Sequence, residues 1–315
     1  MKLRNLKPSW CVFVIAGFTA ASVEAGLLLY EGFDYSLANN ASIHGTAAAA
    51  NGVQGNWTVT NTGPGTPSIT YQTAGLTFGS NFLTSGGGAL RLSATYASGT
   101  NVVTTATVNL SATATGTVWG SYLANFTTIG LSNGGSLLNG VATTMEGTTS
   151  NLKAGVASNT LATDRKLAAG YDNSSAVSGN FAFTTGTTYL FISRFTNVGN
   201  TLGGGVNGVA TTWALTLSQY ENWLSAGATE AGLDGNYSVR VNDTATTGSS
   251  AYDPNGHLML RADAPDNNGS SMVAIVDEIR FGTALADVHV VPEPSSVLIG
   301  LAAGVIPFIR RQRMS

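Results

Sequence analysis

The chain has 315 residues with 17 acidic and 14 basic side chains, so only 10% of its residues are charged. About 25% of the residues of a typical soluble domain are charged, so uncharged Thr, Ser, Asn and Gly must form most of the solvent-exposed surface here. Basic residues cluster at Lys2–Lys7 and Arg310–Arg313, which leaves an acidic body between them. That distribution excludes nucleic acid and anionic lipid as electrostatic partners.

Residues 1–25 have the three parts of a secretory signal peptide. Basic residues come first, an apolar stretch runs from Trp10 to Phe18, and small residues at Val23 and Ala25 predict cleavage after Ala25. The apolar stretch is too short for a permanent membrane anchor. Cys11, the only cysteine, lies inside this segment, so the exported domain has no disulfide and depends on its hydrophobic core.

Strand patterns dominate residues 26–289, with turns rich in Gly, Asn and Asp between them. The predicted strands lie at 28–33, 89–93, 117–126, 187–195, 238–242, 257–261 and 272–281. One helix is predicted from Leu217 to Leu224, with Tyr220 and Leu224 on one face and Gly227 at its end. The chain has no linker between two cores, so we expect one all-β domain, an antiparallel β-sandwich with a short helix.

The last predicted strand contains the densest acidic pair, Asp277 and Glu278. Strict alternation places Asp277 with Val273, Ile275, Ile279 and Phe281 on one face, and Glu278 on the other. A retaining glycosidase needs two carboxylates about 5 Å apart facing one bond, which such a pair would not provide. We therefore expect Asp277 to cap a turn or to pair with a buried donor.

Two glycine motifs resemble catalytic or cofactor signatures but lack the required context. Gly130–Gly134 fits G-x-S-x-G, yet a glycine-broken stretch follows where a nucleophile elbow needs a helix. Gly203–Gly208 fits G-x-G-x-x-G, but a strand or turn follows instead of a helix, so we expect a hairpin loop. We predict no catalytic residue and no enzymatic activity.

Metal and sugar ligands have weaker signals. The three histidines have no zinc-ligand spacing, and no cofactor is required by any motif. Asp253, Asp263 and Asp266 lie in oxygen-rich loops of the kind that bind calcium, although such clusters usually only form turns. Trp119 and Trp213 lie in core patterns. Trp57, within Gly55-Asn56-Trp57-Thr58, is our candidate for a ring that stacks on sugar at a loop edge.

The end of the chain combines three features. Pro292-Glu293-Pro294 precedes an apolar run from Val297 to Ile309, which is followed by the arginines at 310, 311 and 313. The run predicts a hydrophobic helix shorter than the roughly 20 residues that cross a bilayer, with its basic end on the cytoplasmic side. The two prolines keep the preceding peptide extended.

This arrangement resembles the PEP-CTERM sorting signal over residues 290–315, with Pro292, Glu293 and Pro294 as the recognition element. The resemblance implies processing by an exosortase, a membrane protease-transpeptidase of Gram-negative bacteria that make extracellular polysaccharide. It also implies transient anchoring in the inner membrane and delivery to the cell envelope or extracellular matrix. A single-pass anchor without processing is the alternative.

The stretches Leu29–Tyr35 and Val276–Thr283 resemble the first and last strands of concanavalin A-like or LamG-like jelly-roll domains. That resemblance implies that Leu28–Phe33 pairs with Ile275–Phe281, with Glu31 within reach of Arg280. Three functions remain open: a non-enzymatic exported surface or matrix protein, a lectin-like module that binds exopolysaccharide with or without calcium, and a glycoside hydrolase or lyase.

Overall fold

The computed structural model describes residues 26–48, 51–62, 68–82, 84–95, 102–129, 139–142, 151–158, 165–172, 176–177, 183–235, 239–247, 256–264 and 271–289. Their strands are β1 (Leu27–Glu31), β2 (Val53–Thr62), β3 (Ser68–Gln72), β4 (Ala89–Thr95), β5 (Val102–Leu110), β6 (Gly116–Ile129), β7 (Asn139–Ala142), β8 (Asn151–Ser158), β9 (Arg165–Asp172), β10 (Ala176–Val177), β11 (Thr188–Val198), β12 (Gly208–Leu215), β13 (Val239–Ala245), β14 (His257–Ala264) and β15 (Ser271–Gly282). The helices are α1 (Leu217–Ser225), α2 (Glu230–Leu233) and a 3-10 helix at Leu285–Asp287.

The strands form two antiparallel sheets that pack face to face, which confirms the predicted β-sandwich. Sheet 1 has the order β13-β12-β11-β6-β15-β4-β3, with β1 also paired to β15. Sheet 2 has the order β10-β9-β8-β7-β14-β5-β2. A continuous apolar core fills the space between them. None of the helices in these residues is long and apolar enough to cross a membrane, and the predicted C-terminal hydrophobic helix lies outside the described part of the chain.

The middle of sheet 1 is buried on both faces. Successive side chains of a strand point to opposite sides, and here each side meets an apolar cluster. In β11, Tyr189, Phe191 and Phe195 face the core between the sheets. Leu190 and Ile192 face outward into a second apolar cluster, which also contains the stacked rings of Trp119 and Trp213. This outer cluster explains why the β11 sequence is apolar on both sides.

Helix α1 covers the outer cluster and begins and ends close to its predicted bounds. Thr216 caps it by accepting a hydrogen bond from the Gln219 N–H, and the Gln219 side chain bonds back to the Thr216 N–H. Tyr220 and Trp223 form the buried face, whereas Leu224 is only half-buried. Gly227 follows the helix with a left-handed φ of +94°.

Both open sides of the sandwich are closed by backbone or side-chain hydrogen bonds. On one side, the segment after β1 is hydrogen-bonded to both sheets. The Tyr71 N–H of β3 donates to the Ala41 carbonyl, and the Trp57 N–H of β2 donates to the Thr46 carbonyl. On the other side, Asp243 in β13 accepts from the Tyr171 N–H in β9. On the first side, the covered edges of β3 and β2 cannot pair with another chain.

The first and last strands lie side by side, as the resemblance implied, although the pairing covers only the part of β15 from Ile279 to Gly282. Leu29 pairs with Phe281 and Glu31 with Ile279. Beyond the strands, the Thr283 N–H donates to the Gly26 carbonyl at 3.1 Å. The chain therefore enters β1 and leaves β15 at the same place on the sandwich.

Strand β15 changes its face halfway along, so the predicted face assignment is wrong. Glu278 has a left-handed φ of +54°, and the register with β6 shifts between Asp277 and Arg280. A bulge of this kind breaks the alternation of side chains. Ala274 and Val276 therefore share the inner core with Ile279 and Phe281, while the predicted partners Val273 and Ile275 are half-buried outside it.

Gly208 begins β12 where sheet 1 approaches β9 of sheet 2. A Cβ at this position would lie 2.3 Å from the ring of Tyr171, which is fully buried. Gly208 is the last glycine of the G-x-G-x-x-G match, and the close approach of this ring requires it there.

We predict that Gly208→Ala lowers the free energy of unfolding by about 1–3 kcal/mol, because the added methyl group overpacks the contact with Tyr171. Gly235→Ala is the matched control, since its Cβ would lie no closer than 3.4 Å to the nearest backbone atom. Urea unfolding of both variants measures the effect. Equal stability of the two variants would contradict the packing described here.

Candidate functional site

A cluster of buried charged side chains lies at the bulge in β15. At this point the neighbour of β15 changes from β4, which pairs with Ser271–Val276, to β1. Glu31, Asp277, Glu278 and Arg280 are each no more than 3% exposed. Buried charges are rare unless they are paired and hydrogen-bonded, so the partners of these groups decide what the cluster can do.

Glu278 is bonded on both carboxylate oxygens. Oε2 accepts from Tyr30 Oη and from Arg280 Nη2, each at 2.9 Å, and Oε1 accepts from the Ser85 N–H. The Arg280 guanidinium lies between the rings of Tyr30 and Phe82, 4.7 and 5.1 Å from their centroids. Glu278 and Arg280 thus join the last strand to the segment between β3 and β4.

Asp277 holds the other end of that segment. Its Oδ2 accepts from the Leu76 N–H and its Oδ1 from the Glu278 N–H, both at 2.7 Å, which confirms the predicted pairing with a buried donor. Burial raises the pKa of Asp277 to about 8, and the negative charges of Glu278 and Glu31 also raise it.

Glu31 ends a chain of hydrogen bonds that starts in the core. Trp57 Nε1 donates to Tyr35 Oη at 2.9 Å, and Tyr35 Oη donates to Glu31 Oε2 at 2.6 Å. The Phe33 N–H donates to Glu31 Oε1. These two bonds tie Glu31 to Tyr35 and to the Phe33 backbone, and the predicted reach to Arg280 stays a prediction. Burial also raises the pKa of Glu31.

Trp57 does not stand at a loop edge, and that prediction is wrong. It lies within β2, is 1% exposed and packs 6.2 Å from the ring of Phe33. A ring enclosed in this way has no face available to a sugar.

The arrangement of these acids accounts for a structural role. Glu31 and Glu278 accept hydrogen bonds from internal donors on both oxygens, as does Asp277, and solvent reaches none of the three. The sequence argument placed Asp277 and Glu278 on opposite faces of a regular strand. That reason is wrong, because the bulge breaks the alternation of side chains. In this conformation the enclosure of both groups keeps them away from a substrate.

The other sequence-predicted residues divide into those within and those outside the described chain. Pro292, Glu293, Pro294, Ala25, Asp253, Asp266 and Gly130–Gly134 lie outside it. Asp263 lies in β14 opposite Val103, but its side chain is not described. Within the described ranges, no three His, Cys, Asp or Glu side chains form a metal-binding group.

Gly203–Gly208 forms the predicted hairpin loop between β11 and β12. Gly203 and Val206 exchange two backbone hydrogen bonds of 2.9 and 3.0 Å, and strand β12 follows. The absence of a helix at this point removes the dipole and the N–H groups that a phosphate cradle would use.

A polar face that the sequence analysis missed lies on the outer side of sheet 2. In register, Thr58 stands opposite Thr107 and Thr60 opposite Thr105, with Arg261 of β14 next to Thr105. Their neighbours Val59, Ala106 and Leu260 pack on the inner side. We call Thr58, Thr60, Thr105, Thr107 and Arg261 the threonine face. The paired T-x-T patterns at 58–60 and 105–107 were its signal, but strand pairing is not visible in one sequence.

Comparisons with known proteins bear on the fold alone. No protein-family model and no curated protein matches the chain. Similar solved structures include a protein of unknown function, SO2946, from Shewanella oneidensis MR-1, at 13% identity over 81% of this chain and 87% of that chain, with a TM-score of 0.42. The T. cruzi calreticulin globular domain is similar at 11% identity over 91% and 100%, with a TM-score of 0.43. The lectin UEA-II complexed with galactose is similar at 9% identity over 71% and 97%, with a TM-score of 0.33.

The raised pKa of Asp277 predicts that stability falls as the pH rises. Between the unfolded value near 3.8 and the folded value of about 8, the folded protein holds a proton that the unfolded chain releases. The free energy of unfolding therefore decreases through this window, by at most about 1.4 kcal/mol per pH unit for one group.

Asp277→Asn cannot release that proton, so we expect a shallower decrease between pH 5 and pH 8 in denaturant titrations. Asp34→Asn, at an exposed carboxylate, is the control and should keep the wild-type slope. A slope in Asp277→Asn as steep as that of the wild type would rule out this assignment.

Proposed function

We propose that the chain is a non-enzymatic exported β-sandwich that its C-terminal tail directs to the cell envelope or extracellular matrix. The observation that carries this proposal is the order Pro292-Glu293-Pro294, short apolar run and terminal arginines, behind an N-terminal export signal. This combination resembles the PEP-CTERM signal, so an exosortase-type enzyme is the processing partner.

The geometry of the chain ends supports display of the domain. Gly26, the first residue after the predicted cleavage site, bonds to Thr283 just after the last strand. The start of β1 and the end of β15 are adjacent. The segments before and after the sandwich can therefore both be held at the same side of the folded domain. Such an arrangement suits a domain that is carried as cargo.

The enclosed acids support the non-enzymatic part of the proposal. The acids at the bulge of β15 and Glu31 in β1 accept hydrogen bonds from internal N–H, hydroxyl and guanidinium groups. A glycosidase would need two carboxyl groups open to a substrate. Exosortase processing at the tail requires no chemistry from the sandwich itself.

Mass spectrometry of the surface-extracted protein tests the sorting proposal. We predict a mature C-terminus near Pro292–Pro294, and loss of this processing when Pro292, Glu293 and Pro294 are all replaced by Ala. Glu221→Gln, on the exposed side of α1, is the control and should be processed normally. A surface form that still ends at Ser315 contradicts the proposal and favours a plain single-pass anchor.

Binding of a neutral polysaccharide is a second candidate, favoured by the threonine face. Hydroxyl groups of Thr58, Thr60 and Thr105 lie in register on two neighbouring strands, with the Arg261 guanidinium beside them. Uncharged hydroxyl donors and acceptors match the hydroxyl groups of sugars. This role is compatible with sorting, because it uses the sandwich while the tail provides the delivery.

A glycan array probed with the mature protein, with and without calcium, tests sugar binding. If the threonine face binds, the double change Thr60→Val and Thr105→Val should weaken binding about thirtyfold, since each hydroxyl contributes about 1 kcal/mol of hydrogen bonding. Thr201→Val, on an exposed loop, is the isosteric control. Binding that is lost only on calcium removal would move the site to the oxygen-rich stretches around Asp253, Asp263 and Asp266. No binding to any glycan would reject this candidate.

A further inference from the structure

The residues that follow the last strand form a strap across the outer side of sheet 1. We define the strap as Thr283–His289. Asp287 closes its first turn by accepting from the N–H groups of Thr283 at 3.0 Å and Ala284 at 2.8 Å. The 3-10 helix then carries the chain onto the outer apolar cluster.

The end of the strap is packed more tightly than its beginning. Val288 is fully buried in the outer cluster, and its carbonyl accepts a hydrogen bond from the Ser121 hydroxyl of β6. The ring of His289 lies 4.9 Å from the ring of Trp223 in α1, and its Nδ1 is bonded to the Leu285 carbonyl. The strap is therefore part of the folded domain up to His289.

The sorting motif begins only three residues after this packed end. An extended chain spans about 3.5 Å per residue, so Pro292 can lie no more than about 10 Å from His289. A protease needs an accessible stretch of backbone on both sides of the bond that it cleaves, and burial and hydrogen bonding of that backbone determine its susceptibility. With Val288 docked, little free chain precedes the motif.

We propose that the strap is a latch that limits access of the processing enzyme to Pro292–Pro294. This inference rests on the proposed sorting function. Undocking of Val288 and His289 from Ser121 and Trp223 frees the chain before the motif, and the enzyme acts on that undocked state. The enzyme breaks a backbone amide at the motif. The C-terminal part of the chain leaves as an amine, and the acyl group of the N-terminal part passes to water or to another amine. Where opening is fast relative to cleavage, the rate follows the population of the open state.

The test measures the rate of processing of the full-length protein in its own host, by pulse labelling and mass analysis of the mature C-terminus. Val288→Ala weakens the docked strap, and we expect processing to be about five- to tenfold faster, as for the loss of two buried methyl groups. Insertion of Gly-Ser-Gly-Ser after His289 supplies free chain without undocking and should also accelerate processing. Val288→Ala should add nothing further in the inserted chain.

Val108→Ala is the matched control, because it makes the same change at a buried position of β5 in sheet 2. It should destabilise the domain to a similar degree in thermal unfolding and leave the processing rate unchanged. If the wild type is processed but neither Val288→Ala nor the insertion changes the rate, or if Val108→Ala accelerates processing equally, the latch is rejected while sorting stands. If the wild type is not processed at all, the sorting function itself fails.

Discussion

The fold depends on the two buried acidic side chains at the bulge of β15. Asp277 accepts a hydrogen bond from the Leu76 N–H and Glu278 accepts one from the Ser85 N–H. These two bonds fix both ends of the segment between β3 and β4. A buried polar group left without its hydrogen-bond partner costs about 1–3 kcal/mol, so each of these contacts requires its partner. The bulge exists to turn both side chains toward the segment that they hold, which a regular strand could not do.

Further features of sheet 1 follow from this fixed segment. It carries Phe78 and Phe82, whose rings pack on Tyr220 of α1 and extend the outer cluster. The outer cluster in turn gives Val288 and His289 a surface on which to dock. The acids, the helix α1 that covers the cluster and the strap are thus one connected structure. The route of the chain toward the proposed sorting motif is set by contacts that begin at Asp277.

Much of this architecture could be predicted from the sequence, because alternation and turn chemistry act locally. The strand patterns, helix α1, the hairpin at Gly203–Gly208 and the pairing of β1 with β15 are confirmed. The errors come from long-range contacts. A single left-handed residue, Glu278, reversed the faces of half a strand, and no local signal distinguishes it from a regular strand residue. Trp57 was placed at an edge because it follows Gly55 and Asn56, yet β2 and the hydrogen bond to Tyr35 enclose it. The threonine face needed the register of β2 with β5, which only the fold supplies.

Hydrogen exchange at two backbone amides tests most directly whether Asp277 and Glu278 hold the segment between β3 and β4 in place. Ser85 is exposed at the surface, yet its N–H donates to the fully buried Glu278, and the Leu76 N–H donates to Asp277. We predict that both amides exchange as slowly as those in the centre of β15, because each opens only when the buried carboxylate loses its partner. Exchange of both amides as fast as in solvated loops would contradict the account.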